Sequence, residues 1–319
     1  MMRLAMLALA CITFLFSAGA QAQQFLRIGS GLAGTYPVFG AKLAELINTN
    51  FSDMRASTLA GPTEQSLIRI QKGDVEFALT YTFQSLQVLN GQGELKVATP
   101  DLRHVMSLYG AYYLAVVQKN SDIQNLRDLA KKPYRVWLGP KASIFYPLNI
   151  AALAAHDVTP EDIVKAGGVI STAGYGNVSQ SFQDGQIDVA FFSGPAPYSI
   201  LMELDRSNGF RLMSFDEKAE AKYPTLLPGA GIRVHKGGLY KSAPDDVKTP
   251  YVFNELVTSA KLPADLIYKV TKMMNEQHKQ FHGLFSGADE ILPANAMFYN
   301  KIPLHPGAER YYRETGLIK

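Results

Sequence analysis

The sequence has almost no cysteine. Only one of its 319 residues is Cys, and it stands at position 11, inside a stretch that reads as a removable leader. With that leader gone, disulfides, thiolate catalysis and cysteine-ligated zinc or iron–sulfur sites are all excluded. Charge is scarce as well: 18% of residues are Asp, Glu, Lys or Arg, against ~25% in typical soluble domains. The balance is 31 Lys+Arg to 28 Asp+Glu, a formal charge of +3, with no block of basic residues. That denies the chain the phosphate-neutralising surface on which nucleic-acid affinity rests. After the N-terminus no apolar run approaches the ~18 residues of a membrane span, which predicts a soluble mature protein. There is no Gly-x-Ser-x-Gly elbow and no P-loop. What the chain does have is apolar material, 47% of its residues, enough to exclude general disorder. At ~150 residues per domain its length suggests two domains.

Residues 1–22 read as an export signal. Arg3 supplies a minimal positive start, Leu4–Phe16 an apolar run of signal length, and Ala20-Gln21-Ala22 a small-residue cleavage site. Two rivals were weighed. A membrane anchor would need a longer run and a positive flank, and lipoprotein processing at Cys11 would need more apolar sequence before it. Cleavage after Ala22, with export to the periplasm, is the expectation.

The mature chain opens on a strand signal, Phe25–Ile28, followed by Gly29-Ser30-Gly31-Leu32-Ala33-Gly34 and a helical pattern to Asn48. Pro37 suits the first helical turn. The strand, glycine loop, helix unit recurs. Ser57–Leu59 leads through Gly61-Pro62-Thr63 to a helix that stops at Gly73, and a strand covers Val75–Leu79. Arg135–Leu138 runs into Gly139-Pro140-Lys141-Ala142-Ser143 and a helix to about Ala155. Val169–Thr172 runs into Gly174-Tyr175-Gly176-Asn177 and a helix ending at Gly185. Such alternation implies βαβ units and mostly parallel sheets. Lys72-Gly73-Asp74-Val75-Glu76-Phe77-Ala78 resembles Asp184-Gly185-Gln186-Ile187-Asp188-Val189-Ala190, although a glycine before a strand is common enough to leave coincidence open. The extended runs 102–119 and 250–257 read as two crossings between lobes, which divides the chain into lobe 1 (23–112 plus 250–319) and lobe 2 (113–249). A hinge between two α/β lobes leaves a cleft.

Two motifs look like more than they are. Gly29-x-Gly31-x-x-Gly34 matches a dinucleotide fingerprint, with Asp53 about 20 residues on. That aspartate follows Phe51-Ser52 and ends no clear strand, and an exported protein is a poor partner for NAD. His278 and His282 share a face of a predicted helix over 263–281 but lack the glutamate of a zinc-protease motif, so a solvated face is the simpler reading. Neither a metal nor a cofactor is called for. Tyr36, Tyr81, Phe83, Phe145, Tyr146, Tyr175 and Tyr198 cluster at predicted loop–helix junctions. They fit packing at element ends or, equally, the walls of a small-ligand cleft.

The opening Ile28-Gly29-Ser30-Gly31, with Gly34-Thr35-Tyr36-Pro37 and Gly40, resembles the start of the TAXI family, the extracytoplasmic solute-binding subunits of one class of TRAP transporter. Further matches follow in order: Ala60–Gln65 with Gly73–Leu79, Asp184–Phe192 with Ala196-Pro197, and the tail Pro303–Tyr312. The resemblance implies a type-II periplasmic-binding-protein fold, with two α/β lobes, a hinge and a central cleft. It also implies capture of a small organic acid (a 2-oxoacid, dicarboxylate or acidic amino acid) and delivery to integral-membrane TRAP subunits driven by an ion gradient, usually sodium. Carried over, the ligand contacts fall on Ser30, Thr35, Tyr36, Thr63, Tyr81, Ser143, Pro197 and Tyr198.

The sequence departs from that family at Ala60-Gly61-Pro62-Thr63, at Tyr81 in place of a frequent glutamine, and at the third loop, which adds Lys141 and Phe145. A lost amide and a gained point charge favour an acid without an α-amino group. Lys141 reads either as a carboxylate partner or as a rim residue. A sensory binding protein would use the same cleft physics, and a periplasmic enzyme on a small acid would need a positioned base that no Ser/His or Cys/His pattern supplies.

Overall fold

Alternation of apolar and polar residues makes β1 (Gln24–Gly29), which buries Leu26 and Ile28 and turns Phe25 and Arg27 outward. The computed structural model describes residues 23–319 except Ala33 and Ala142. The leader expected over 1–22 lies outside the described residues, as does the side chain of Tyr175. After β1 the chain forms α1 (Tyr36–Asn50), with Pro37 in its first turn, and then β2 (Met54–Leu59). α2 (Thr63–Lys72) ends as expected on Gly73, whose φ of 78° belongs to the left-handed region that glycine enters without penalty. β3 (Phe77–Tyr81) is buried throughout and hands over directly to α3 (Thr82–Leu89).

The run expected to be extended is β4 (Leu102–Gln118). Beyond it come β5 (Arg135–Trp137), α4 (Phe145–Ala155), α5 (Pro160–Lys165), β6 (Val169–Ser171), α6 (Val178–Gln183) and β7 (Val189–Gly194). They are followed by α7 (Ser199–Arg206), β8 (Phe210–Met213), α8 (Glu217–Leu226), β9 (Ala230–His235) and the second long strand, β10 (Val247–Ser259). The chain closes with α9 (Ala264–Glu276) and α10 (Pro306–Glu314).

The strands join in the order β2-β1-β3-β10-β4-β7-β5-β6. β2-β1-β3-β10 at one end and β6-β5-β7-β4 at the other repeat the same arrangement. In each, three parallel strands are closed by a long antiparallel one. The expectation of mostly parallel sheets is therefore corrected. Parallel pairing comes from the βαβ units, but β4 and β10 run head-on against β3, β7 and each other. The two similar segments noted in the sequence occupy equivalent places ahead of β3 and β7. The equivalence extends to chemistry: Arg27 on β1 pairs with Glu76 at 2.8 Å, and Arg135 on β5 pairs with Asp188 at 2.5 Å.

Buried apolar side chains gather in separate clusters. Phe39, Leu43, Phe77, Leu256 and Ile267 belong to one, and Val136, Trp137, Leu148, Phe191 and Phe210 to another. The second also takes in Tyr81 and Phe83 from the first βαβ half. Burial lowers the affinity of His156, His235 and His305 for a proton below their ordinary 6.5. The folded chain keeps them neutral while the unfolded chain protonates them, so their contribution to stability is complete above pH ~6.5 and is lost as pH falls below it. Thermal melts at pH 7.5 and 5.0 should therefore show a lower midpoint at 5.0. An unchanged midpoint would contradict this account.

Candidate functional site

The carboxyl ends of β1, β3 and β7 and the loop after β5 meet at a cavity of about 380 Å³ between the two strand groups, the position where open α/β sheets bind ligands. Five helices start at its wall: α1, α2, α3, α4 and α7. Their N-cap residues are Thr35, Pro62, Tyr81, Ile144 and Tyr198, all lining the cavity, and none caps its helix through a side chain. By contrast Thr159, Asp216 and His305, which head α5, α8 and α10 away from the cavity, each accept a bond from their first turn. α6 and α9 also lack a side-chain cap, at sites outside the cavity. The positive ends of these helices, left without an N-cap side-chain bond, face the cavity and suit an anion.

The local sequence explains how the wall is made. Gly31 and Gly34 have φ of 68° and 74°, which lets the chain turn sharply off β1. The Tyr36 ring then lies so close to Gly31 that an added Cβ would sit 3.1 Å from it. Gly194, at the end of β7, is likewise covered by the Tyr198 ring, at 2.5 Å from such a Cβ.

Among the described lining residues none carries a formal charge. Burial raises the Tyr36 phenol well above its usual value near 10 and the Tyr109 phenol likewise, and it pushes Tyr81 up to about 12. All three remain neutral hydrogen-bond donors. Thr35 Oγ1 bonds the Tyr109 hydroxyl, Tyr81 OH meets Ser193 Oγ at 3.3 Å across the β3–β7 gap, and Asn254 Nδ2 donates to Tyr109 O at 2.9 Å. Two buried hydroxyls on the lining, Tyr36 OH and Ser143 Oγ, have no hydrogen-bond partner among the described residues.

Of the residues expected at the site, Thr35, Tyr36, Thr63, Tyr81, Ser143 and Tyr198 line this one cavity. Ser30, Lys141 and Pro197 do not. Ser30 is buried beneath α1, its Cβ 2.8 Å from where a Cβ on Gly40 would lie. Lys141 is exposed, so its charge stays in water. Pro197 is also exposed, because Tyr198 folds back over Gly194 and turns the preceding residue outward; the proline on the wall is Pro195. Sequence reasoning missed Tyr109, Ser193 and Asn254. A buried amide inside the apolar run 250–257 was the available signal.

The decoys resolve as well. Asp53 precedes β2, at the end of that strand far from the glycine loop, and pairs with Lys269. α9 stops at Glu276, earlier than expected, so His278 lies in a separate 3-10 turn, His278–Phe281, with its ring 5.4 Å from that of His282. No group of three or more metal-capable side chains occurs among the described residues. Behind the cavity, Glu255 takes bonds from Ser85 and from His104 Nδ1 at 2.6 Å, while His104 Nε2 faces Ala296 O at 2.9 Å. In this buried trio the serine faces the carboxylate and not the imidazole, and none of the three lines the cavity.

A family model described as the NMT1-like family matches residues 29–316. Among solved structures, XAC2383 from Xanthomonas citri bound to ATP is similar at a TM-score of 0.51 with 14% identity, covering 92% of this chain and 97% of that one. The same protein bound to chloride ion gives 0.50 and 13% over the same shares. The alkanesulfonate-binding protein SsuA from Xanthomonas axonopodis pv. citri, bound to MOPS, gives 0.49 and 18%, over 91% and 83%. At such identities the likeness to XAC2383 speaks for the fold alone. Together with the repeated strand order, it gives the two-lobed α/β architecture of type-II periplasmic binding proteins with a central cleft. No described helix is long and apolar enough to cross a membrane.

Proposed function

The chain belongs to the NMT1-like family, and from that premise we propose that it is an exported solute-binding protein that captures a small organic acid and passes it to a membrane transporter. The observation that carries this reading is the convergence of five helix starts without side-chain caps on one cavity whose described lining residues carry no charge. Such a wall favours an anion held at helix starts, and its described lining residues include no carboxylate, imidazole or amine. The more specific proposal is a TAXI-type subunit working in the periplasm with TRAP membrane subunits, its signal cut after Ala22. In this proposal residues 23–112 plus 250–319 close against 113–249. Closure follows because the ligand touches both lobes and so binds the closed form better.

A thermal-shift screen of 2-oxoacids, dicarboxylates and amino acids tests the reading. A ligand at 100 times its Kd adds ~2.7 kcal/mol to folded-state stability. Silence across the screen counts against solute binding, and turnover of a hit would favour an enzyme. Trp137 gives a second readout. It is fully buried, donates Nε1–H to Ala173 O at 2.9 Å and lies 6.1 Å from the ring of the wall residue Phe145. Its emission should shift when the cleft fills. An unchanged spectrum, with binding verified by calorimetry, would detach Trp137 from the closing movement.

A further inference from the structure

We propose that the cleft selects a monoanionic acid with an aryl or branched-alkyl body and no amino group, so that neither an amino acid nor a dicarboxylate is its best ligand. This rests on the solute-binding reading above and narrows the ligand class for the same cavity.

The wall meets each part of a ligand differently. An ammonium group would find no carboxylate among the described lining residues, and it would face the positive ends of α1, α2, α3, α4 and α7. An amino acid therefore has its positive charge desolvated without a partner. An anionic head is met differently. Of the buried polar side-chain atoms lacking a partner among the described residues, only Tyr36 OH and Ser143 Oγ lie on this cavity. Tyr36 is 8% exposed and begins α1, while Ser143 shortly precedes α4. The two hydroxyls therefore come from opposite strand groups. Together with the positive N-terminal end of α1, they supply donors for one carboxylate.

Several of the remaining polar groups are already bonded within the wall. Thr35 is bonded to Tyr109, Tyr81 to Ser193, and the Tyr198 amide to Tyr240 OH at 2.7 Å. Leu32, Ile144, Phe145, Pro62, Pro140 and Pro195 complete the wall. These surfaces suit an apolar body, and the described lining residues offer a second ionised carboxylate neither Arg nor Lys to offset its desolvation.

Calorimetry with three skeleton-matched pairs tests this: phenylpyruvate and phenylalanine, 4-methyl-2-oxopentanoate and leucine, 2-oxoglutarate and glutamate. The expected result is that phenylpyruvate or 4-methyl-2-oxopentanoate binds at least about 10-fold tighter than its amino acid partner and than 2-oxoglutarate. Tyr36→Phe should weaken that binding about 10-fold without lowering the melting temperature of the unliganded protein, because the lost hydroxyl bonds nothing among the described residues. A merely structural tyrosine would lower it. Tightest binding of 2-oxoglutarate or of any amino acid overturns the inference and leaves solute binding standing. Silence of all six overturns the inference too, and solute binding itself falls only if the wider acid screen is also silent.

Discussion

Glu255→Leu is expected to lower the unfolding midpoint by about 6–10 °C, taking ~2 °C per kcal/mol for a chain of this size and ~3–5 kcal/mol for breaking a buried pair from one side. Glu255 and His104 are both fully buried, on β10 and β4 where the two long strands pair antiparallel. The carboxylate is held by His104 Nδ1 at 2.6 Å and by Ser85, and the other imidazole nitrogen is tied to Ala296 O at 2.9 Å. Leucine leaves the imidazole with an unanswered nitrogen in a site that water does not reach. Ser85 loses less, since its hydroxyl also bonds Thr82 O at 3.0 Å. The double variant His104→Leu/Glu255→Leu removes both polar partners and should recover most of the loss, because two apolar groups cost far less than one stranded polar group. Denaturant titrations of the two singles and the double check this. A double variant as unstable as the sum of the singles would show that the pair is not coupled.

Much of the fold was legible because local chemistry and tertiary structure agree. The alternation of Phe25–Ile28 survives as β1, Gly73 ends α2 in the left-handed region, and the runs at 102–119 and 250–257 are the long strands that tie the strand groups together. The likeness between the segments around Gly73 and Gly185 marked a real repeat, with an Arg–carboxylate pair in each copy. Where the reading failed, information from elsewhere in the chain decided the outcome. Parallel pairing follows from βαβ units, yet β4 and β10 run antiparallel to β7, β3 and each other, a direction no local pattern encodes. The apolar pattern through Phe281 looked like one helix, but the backbone tightens into a 3-10 turn after Gln277. Wall residues at strand ends and helix starts were readable as loops. Tyr109 and Asn254 were not, since which side chains of a long buried strand reach the cavity depends on a register that no single segment contains. Lys141 shows the converse: a charge in the right loop, turned to solvent.

The ladder of the long strands also tolerates no side chain at Gly110. A Cβ placed there would lie 1.6 Å from the Tyr251 hydroxyl oxygen and 1.9 Å from Cζ. The ring has nowhere to go. Its hydroxyl donates to Glu290 Oε2 at 2.9 Å, the Gly110 amide donates to the same oxygen at 3.0 Å, and the Arg233 guanidinium covers the ring 4.3 Å from its centroid. Gly110→Ala is therefore expected to cost about 3 kcal/mol, the upper part of the overpacking range. The clash is with the far end of the tyrosine, which leucine lacks. Tyr251→Leu should therefore relieve part of the damage, and the two changes together should cost at least ~1 kcal/mol less than their sum. Unfolding curves for the singles and the double measure that coupling. Strict additivity would mean that the backbone of β4, and not the Tyr251 ring, yields to the new methyl group.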